Sequence, residues 1–389
     1  MHQSNGQFIT ELSENQIIIR DTIKQFAEEK IRPHIMEIDE SQRFPIEILK
    51  ELGELGFMGI IFPEEYGGAG LGYVDFVLII EELAKVDPSI GLSVAAHNGL
   101  CTNHIFRFGN DSQRKKYITD LVSGKKIGAW GLTEPGSGSD AAGLKTVATK
   151  KGNKFILNGS KAFTTHGASA ETLVVMAITD KGKKSKGISA FILEKGMFGL
   201  IVGKKENKLG MRASETVQLT FENCEVPEEN LLGEEGMGFI NAMQILEGGR
   251  ISIAALSVGL AMGCLENVIK YSKEREQFGK PLSAFQATQF KLAEMKTNID
   301  AAHLLTLRAA QMKDKGLPNI KEAAMAKLFA SEIAEKASSE AVQIFGGYGF
   351  VKDYPVEKFY RDVKLCTIGE GTSEIQRIVI AKELLKELQ

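Results

Sequence analysis

Between residues 125 and 232 the sequence changes texture, and that change constrains the architecture more than any other feature. Runs rich in β-branched and aromatic residues at 127–133, 146–150, 155–158, 172–178, 188–193 and 217–221 are separated by turns, with no helical periodicity among them. Strands this short, without crossover helices, are expected to pair antiparallel in a small sandwich or barrel. Lys151-Gly152-Asn153-Lys154 and Asn158-Gly159 read as hairpin turns. On either side the pattern is helical. Ile17, Ile18, Phe26 and Ile31 mark a helix ending before Pro33; Pro45 opens a second, which Gly56 ends. Residues 63–70 form a loop by composition, and helices follow over 74–86, 90–108 and 113–122. Beyond Gly233 come four longer helices, at 238–276, 284–315 and 321–345 and from Thr372-Ser373 to the end, punctuated by Gly279, Pro281, Gly316, Pro318 and Gly346-Gly347. The expected fold class is α+β. An all-helical N-terminal domain (1–124) precedes a middle antiparallel β-sandwich or barrel domain (125–235) and a C-terminal four-helix bundle (236–389).

Charge excludes some partners. The 47 Lys+Arg against 50 Asp+Glu leave a net charge of −3, which points away from nucleic acid and acidic membrane surfaces. No apolar run is expected to span a bilayer, and residues 1–5 lack the start of a signal peptide. Cys101, Cys224, Cys264 and Cys366 are scattered, which suits free thiols in a reducing compartment. His97 and His104 stand about two helical turns apart without a carboxylate or thiol at ligand spacing, so no metal site is expected.

Five stretches can carry chemistry. In Thr367-Ile368-Gly369-Glu370-Gly371-Thr372-Ser373-Glu374-Ile375-Gln376-Arg377 a lone carboxylate sits between glycines at the mouth of a helix. The positive end of that helix suits a ligand that becomes anionic, and Ile375, Ile378, Val379, Leu384, Leu385 and Leu388 mark its apolar face. Trp130-Gly131-Leu132-Thr133-Glu134-Pro135-Gly136-Ser137-Gly138-Ser139-Asp140 loosely matches a dinucleotide fingerprint, but no helix pattern follows and Asn158 stands where the ribose-binding acid belongs. As a strand and polar glycine loop it suits either a turn or a flat cofactor with phosphates. Lys161-Ala162-Phe163-Thr164-Thr165-His166-Gly167 offers an aromatic ring beside hydroxyls. Arg275-Glu276-Gln277-Phe278-Gly279-Lys280, with Gln286 beyond, is either a capped helix end or a pyrophosphate contact. Gln343-Ile344-Phe345-Gly346-Gly347-Tyr348-Gly349 is a helix end that also permits close backbone approach.

Together with residues 63–70, these stretches resemble, in order and over almost the whole chain, the acyl-CoA dehydrogenases. The resemblance implies FAD between the β domain and the C-terminal helices, usually in a homotetramer. It places Trp130, Leu132, Thr133, Phe163 and Thr165 at the flavin ring, with Thr372 and Glu374. Arg275, Phe278, Gln286, Gln343, Ile344, Gly346 and Gly347 would hold the adenosine diphosphate of a neighbouring subunit's cofactor. Ser139, counted with both cofactor and substrate, joins Glu247, Arg250 and Gly371 at the acyl-CoA. Glu370 matches the base that removes the α-proton while flavin N5 takes the β-hydride, with the enolate oxygen held by the Glu370 N–H and a ribityl hydroxyl. Relatives that carry their base on the first long C-terminal helix have it at the position of Gly249; Glu247 is the nearest acid there.

Three residues depart from the family's common ones: Phe163 for tryptophan, His166 for asparagine and Gly369 for tyrosine. The last is expected to widen the space beside the base and suit a branched or cyclic acyl group. Electrons would pass to an electron-transferring flavoprotein; the alternatives are an oxygen-using oxidase and a non-catalytic acyl-CoA-binding relative. The expected location is the bacterial cytoplasm or the mitochondrial matrix.

Overall fold

A computed structural model describes residues 11–387, so Leu388 and the N-terminal residues on which the signal-peptide expectation rested lie outside it. The N-terminal part is helical: α1 (Glu14–Phe26), α2 (Ile35–Ser41), α3 (Ile46–Glu54), α4 (Tyr73–Val86), α5 (Pro88–Ala96), α6 (Asn103–Phe108) and α7 (Asp111–Val122). Ser13 starts α1 through a reciprocal pair, its Oγ accepting from the Gln16 N–H while Gln16 Oε1 accepts from the Ser13 N–H. The expected stripe on α1 is corrected: Ile17 and Ile18 face solvent, and the helix buries Ile23 and Phe26 where it packs on α4. The helix expected over 90–108 is also corrected, because a π turn at His97–Thr102 separates α5 from α6.

The middle part holds β1 (Gly128–Gly131), β2 (Val147–Lys151), β3 (Lys154–Thr165), β4 (Thr172–Ile178), β5 (Ile188–Glu194), β6 (Leu200–Lys205), β7 (Thr216–Pro227) and β8 (Leu231–Leu232). They form one sheet in the order β6-β7-β3-β2-β4-β5-β8, with β1 beside β4. Most pairs are antiparallel, but β1 and β2 each run parallel to β4. Asn158-Gly159 is not a turn. It lies inside β3 at a bulge, where Gly159 has φ +146° and an added Cβ would sit 2.5 Å from Thr146 Oγ1. Alternation sorts the side chains of β4: Val174 and Met176 pack toward the helices, Leu173, Val175 and Ala177 toward the interior of the sheet.

The C-terminal part comprises α8 (Gly238–Glu274), a small hairpin of β9 (Glu276–Gln277) and β10 (Lys280–Pro281), α9 (Gln286–Asp314), α10 (Ile320–Phe345), α11 (Val356–Asp362), α12 (Lys364–Ile368) and α13 (Ser373–Glu387). The helix α8 is long and apolar enough to cross a membrane by length and composition, contrary to expectation. Its apolar window is 83% buried inside the protein, which makes it the core helix. Along it Gly259 and Gly263 let α4 nest closely: a Cβ at either would sit 2.3 Å from the Glu81 or Lys85 carbonyl oxygen. A buried charged cluster joins the three parts. Lys358 Nζ lies 2.6 Å from Asp362 and 3.4 Å from Asp87, and Asp362 accepts from the Met211 N–H of the β-domain loop.

Candidate functional site

Between α12 and α13 the chain makes a tight turn through Gly369, Glu370 and Gly371. Glu370 takes φ +51° and Gly371 φ +94°. A left-handed glutamate costs about 1–3 kcal/mol and persists only where its surroundings hold it. Here the Gly371 carbonyl accepts from Lys327 Nζ of α10 at 2.7 Å and from Gln376 Nε2 of α13 at 2.8 Å. Gln376 Nε2 also reaches the Glu370 carbonyl at 3.3 Å, and Thr372 Oγ1 accepts from the Ile375 N–H at the start of α13. The turn is therefore clamped from two helices.

The Glu370 carboxylate points at α8. A Cβ built on Gly249 would lie 1.7 Å from Glu370 Oε2, so this helix position and the loop carboxylate compete for one space. Glu370 Oε2 is enclosed and has no hydrogen-bond partner. Burial pushes its pKa up to about 7, against the pull of Lys327 and Arg250. Arg250 is itself buried, with Nε enclosed and unpartnered. Glu247, the rival acid, is half-buried on the same helix and lies 4.0 Å from Lys313 Nζ.

A second group lies where β1 meets β3. The Ala162 N–H donates to the Thr133 carbonyl at 2.8 Å. Beneath it the buried Lys161 ammonium lies 2.7 Å from Glu134 Oε1 and donates to the Leu132 carbonyl at 3.2 Å. Glu134 further accepts from the Lys145 and Thr146 N–H groups. A bulge between Lys161 and Thr164 turns Phe163 outward at φ +53°, leaving it 66% exposed beside half-buried Thr133 and Thr165. Trp130 Nε1 donates to His104 Nδ1, and His97 is held between the Leu121 carbonyl and the Gly128 N–H, so both histidines sit in the packing. His166 is buried with its ring against Phe44, and desolvation lowers its pKa to about 4. Ser139 is exposed on the glycine loop, and Glu374 is exposed on the first turn of α13.

A third group gathers at the far ends of the long helices. Arg275 ends α8 with its guanidinium 5.5 Å from the Tyr348 ring centroid, which ties it to the Gln343–Gly347 turn. Phe278 is 95% exposed at φ +53°, and Gln286, Gln343, Gly346 and Gly347 face solvent, with Ile344 half-buried. Among the described residues no hydrogen bond or ring contact links this group to Glu370 or to Phe163.

Of the eight described non-glycine residues with positive φ, four lie in the sequence motifs: Phe163, His166, Phe278 and Glu370. Sequence reasoning assigned no role to Lys327, Gln376 or the Lys161–Glu134 pair. The signal for Lys327 was a lone lysine in register with Ala323, Ala330, Ala334, Ala337 and Ala341, the buried stripe of α10.

Residues 13–125, 129–224 and 236–385 match the family models for the acyl-CoA dehydrogenase N-terminal, middle and C-terminal domains. The short-chain specific acyl-CoA dehydrogenase of Clostridium acetobutylicum is 46% identical over 375 residues, covering 96% of this chain and 99% of the relative. The butyryl-CoA dehydrogenase structure from Megasphaera elsdenii superposes with a TM-score of 0.95 at 45% identity, covering 97% of this chain and all of that one. A chain from structural work on the electron transferring flavoprotein of Acidaminococcus fermentans and flavin-based electron bifurcation gives a TM-score of 0.96 at 49% identity, with coverage of 97% and 100%.

Proposed function

We infer, for a chain that belongs to the acyl-CoA dehydrogenase family, that Glu370 is the base that takes the α-proton of a short-chain acyl-CoA thioester. The protein is an FAD-dependent oxidoreductase that dehydrogenates acyl-CoA. The observation that carries the reading of Glu370 is its enclosed, unpartnered Oε2 on a clamped, left-handed turn. A carboxylate kept short of solvent and partners has a basicity suited to neutral pH.

The residues present fit FAD. Phe163 presents an exposed ring next to the main-chain groups of Leu132 and Thr133, and Trp130, Thr165, Thr372 and Glu374 complete the set for the flavin ring. A Cβ at Gly346 or Gly347 would touch nothing within 4 Å, so a phosphate can approach that backbone. Arg275 supplies charge there, and Phe278, Gln286, Gln343 and Ile344 surround it. When bound, FAD supplies the acceptor for the β-hydride. The chain's own part is to orient and to move one proton. Arg250, Glu247, Ser139 and Gly371 line the thioester, and Glu370 Oε2 receives the α-proton. An apolar acyl chain packed against the loop excludes water and keeps the carboxylate basic.

The names of the relatives favour a short acyl chain, and the Acidaminococcus structure favours an electron-transferring flavoprotein as electron acceptor. Arg275, Phe278, Gln343, Gly346 and Gly347 are exposed and open to a cofactor held by another copy of the chain, which supports a homotetramer whose subunits complete one another's FAD sites. Anaerobic stopped-flow bleaching with butyryl-, octanoyl-, isovaleryl- and cyclohexanecarboxyl-CoA tests the reading. The expected outcome is fastest bleaching by butyryl-CoA. Glu370→Gln is expected to keep its yellow colour and lose bleaching by at least about a thousandfold. Normal bleaching in that variant moves the base to Glu247. Peroxide release in air, without reoxidation by an electron-transferring flavoprotein, marks an oxidase.

A further inference from the structure

Lys327 is a buried cation bonded to the turn that carries the proposed base, and nothing about its helix explains it. Its side chain is fully buried in the alanine stripe of α10, and among the described residues no carboxylate pairs with it within 4 Å. Its hydrogen bond goes to the Gly371 carbonyl, one residue past Glu370. Removing an ammonium from water without an ion pair is costly. A methionine or leucine would pack the same space, so the charge calls for an electrostatic reason.

We propose that Lys327 is a positioning residue for the Glu370 turn: its ammonium fixes the Gly371 carbonyl and supplies the positive charge against which the Glu370 carboxylate ionises. The proposal rests on Glu370 being the base. Besides Glu370, Lys327 faces Cys366 from α12, Arg250 from α8 and Glu374 from α13; besides Lys327, Glu370 faces Arg250, whose own charge is held by Glu247 on the same helix. Arg250 also lowers the Glu370 pKa, and Lys327 is the larger contributor. Burial brings the Lys327 pKa down to about 8, with Cys366 and Glu370 holding it up. Gln376 shares the mechanical part of the task without the charge.

The test is the pH profile of kcat/KM for butyryl-CoA in the FAD-loaded enzyme, together with infrared titration of the ionised carboxylate band, wild type minus E370Q. In K327M the acidic limb and the infrared midpoint are expected to rise by about one pH unit. K327Q, uncharged but still able to donate, carries the same expected shift if K327M does not fold. K327R is expected to restore the wild-type limb. Q376L is expected to lower kcat and leave the limb in place. An unmoved limb in K327M or K327Q, with E370Q inactive, overturns the role of Lys327 and leaves the base standing. A shift in K327R as large as in K327M traces the effect to packing and also overturns it. Full activity in E370Q defeats the underlying assignment instead.

Discussion

A carboxylate withdrawn from water without a partner binds its proton more tightly, and that fixes the sign of the pH response at Glu370. Its folded pKa, about 7, lies above the ordinary 4.5, so the native state holds a proton that the unfolded chain has released between those values. Stability contributed by the neutral carboxyl is thus present below about pH 4.5 and is lost as pH rises through 7. Glu370→Gln is expected to be more stable than wild type at pH 8, by about 1.4 kcal/mol for each pH unit that separates the folded and unfolded values, and equal to it at pH 4; urea unfolding at both values measures this. Gly249→Ala tests the facing helix. Its Cβ would fall on Glu370 Oε2, so the carboxylate must move, and a loss of about a hundredfold in kcat with FAD retained is expected from steady-state assays. Glu370 was visible in the sequence because glycines flank it. Lys327 was not, because a lysine among alanines looks the same whether it ends in solvent or against a carbonyl.

At the scale of the element, β1 and β3 must stay in register for Trp130, Leu132, Thr133, Phe163 and Thr165 to present one surface. The buried Lys161–Glu134 pair lies under that junction. Burial works against the Glu134 charge, but Lys161 and two main-chain N–H groups hold its pKa below the usual carboxylate range. Removing either partner strands a buried charge, at a cost of about 3–5 kcal/mol. Lys161→Met is therefore expected to lower the denaturation midpoint and to release FAD on gel filtration, whereas the double change Lys161→Met with Glu134→Leu should recover much of the loss. Chemical denaturation of the three variants checks it. The sequence reading placed β1 but ended the second strand at Asn158, so it missed both the half of β3 that carries Phe163 and the bulge that exposes it, since a bulge is a two-strand property. The parallel pairing of β1 with β4 was hidden for the same reason.

Over the whole molecule, the apolar residues left outside point to assembly. Ile378, Leu384 and Leu385 on α13, Phe290 and Leu304 on α9, and Phe278 and Phe350 beyond the ends of α8 and α10 are all exposed. Such surface is costly in water and usually marks an interface. Sedimentation is expected to give four copies, and Ile378→Glu with Leu385→Glu is expected to yield smaller species that retain less FAD. Within one chain, Lys358, Asp362 and Asp87 are fully buried and join the three parts. Lys358→Met is expected to destabilise by about 3–5 kcal/mol, read as a lower denaturant midpoint.

The order of helical, β and helical parts, the long helices with their glycine and proline ends, and the isolated Glu370 all follow from local sequence. Periodicity and chain-breaking residues act over a few neighbours and need no partner to be recognised. What required the tertiary structure was every feature made by segments remote in the chain. The closeness of Gly249 to Glu370 Oε2, the clamp of Lys327 on Gly371, the enclosure that makes the carboxylate basic and the burial of a helix apolar enough for a membrane are of this kind. Burial and electrostatic coupling depend on which surfaces meet, and that is settled only when the three parts pack.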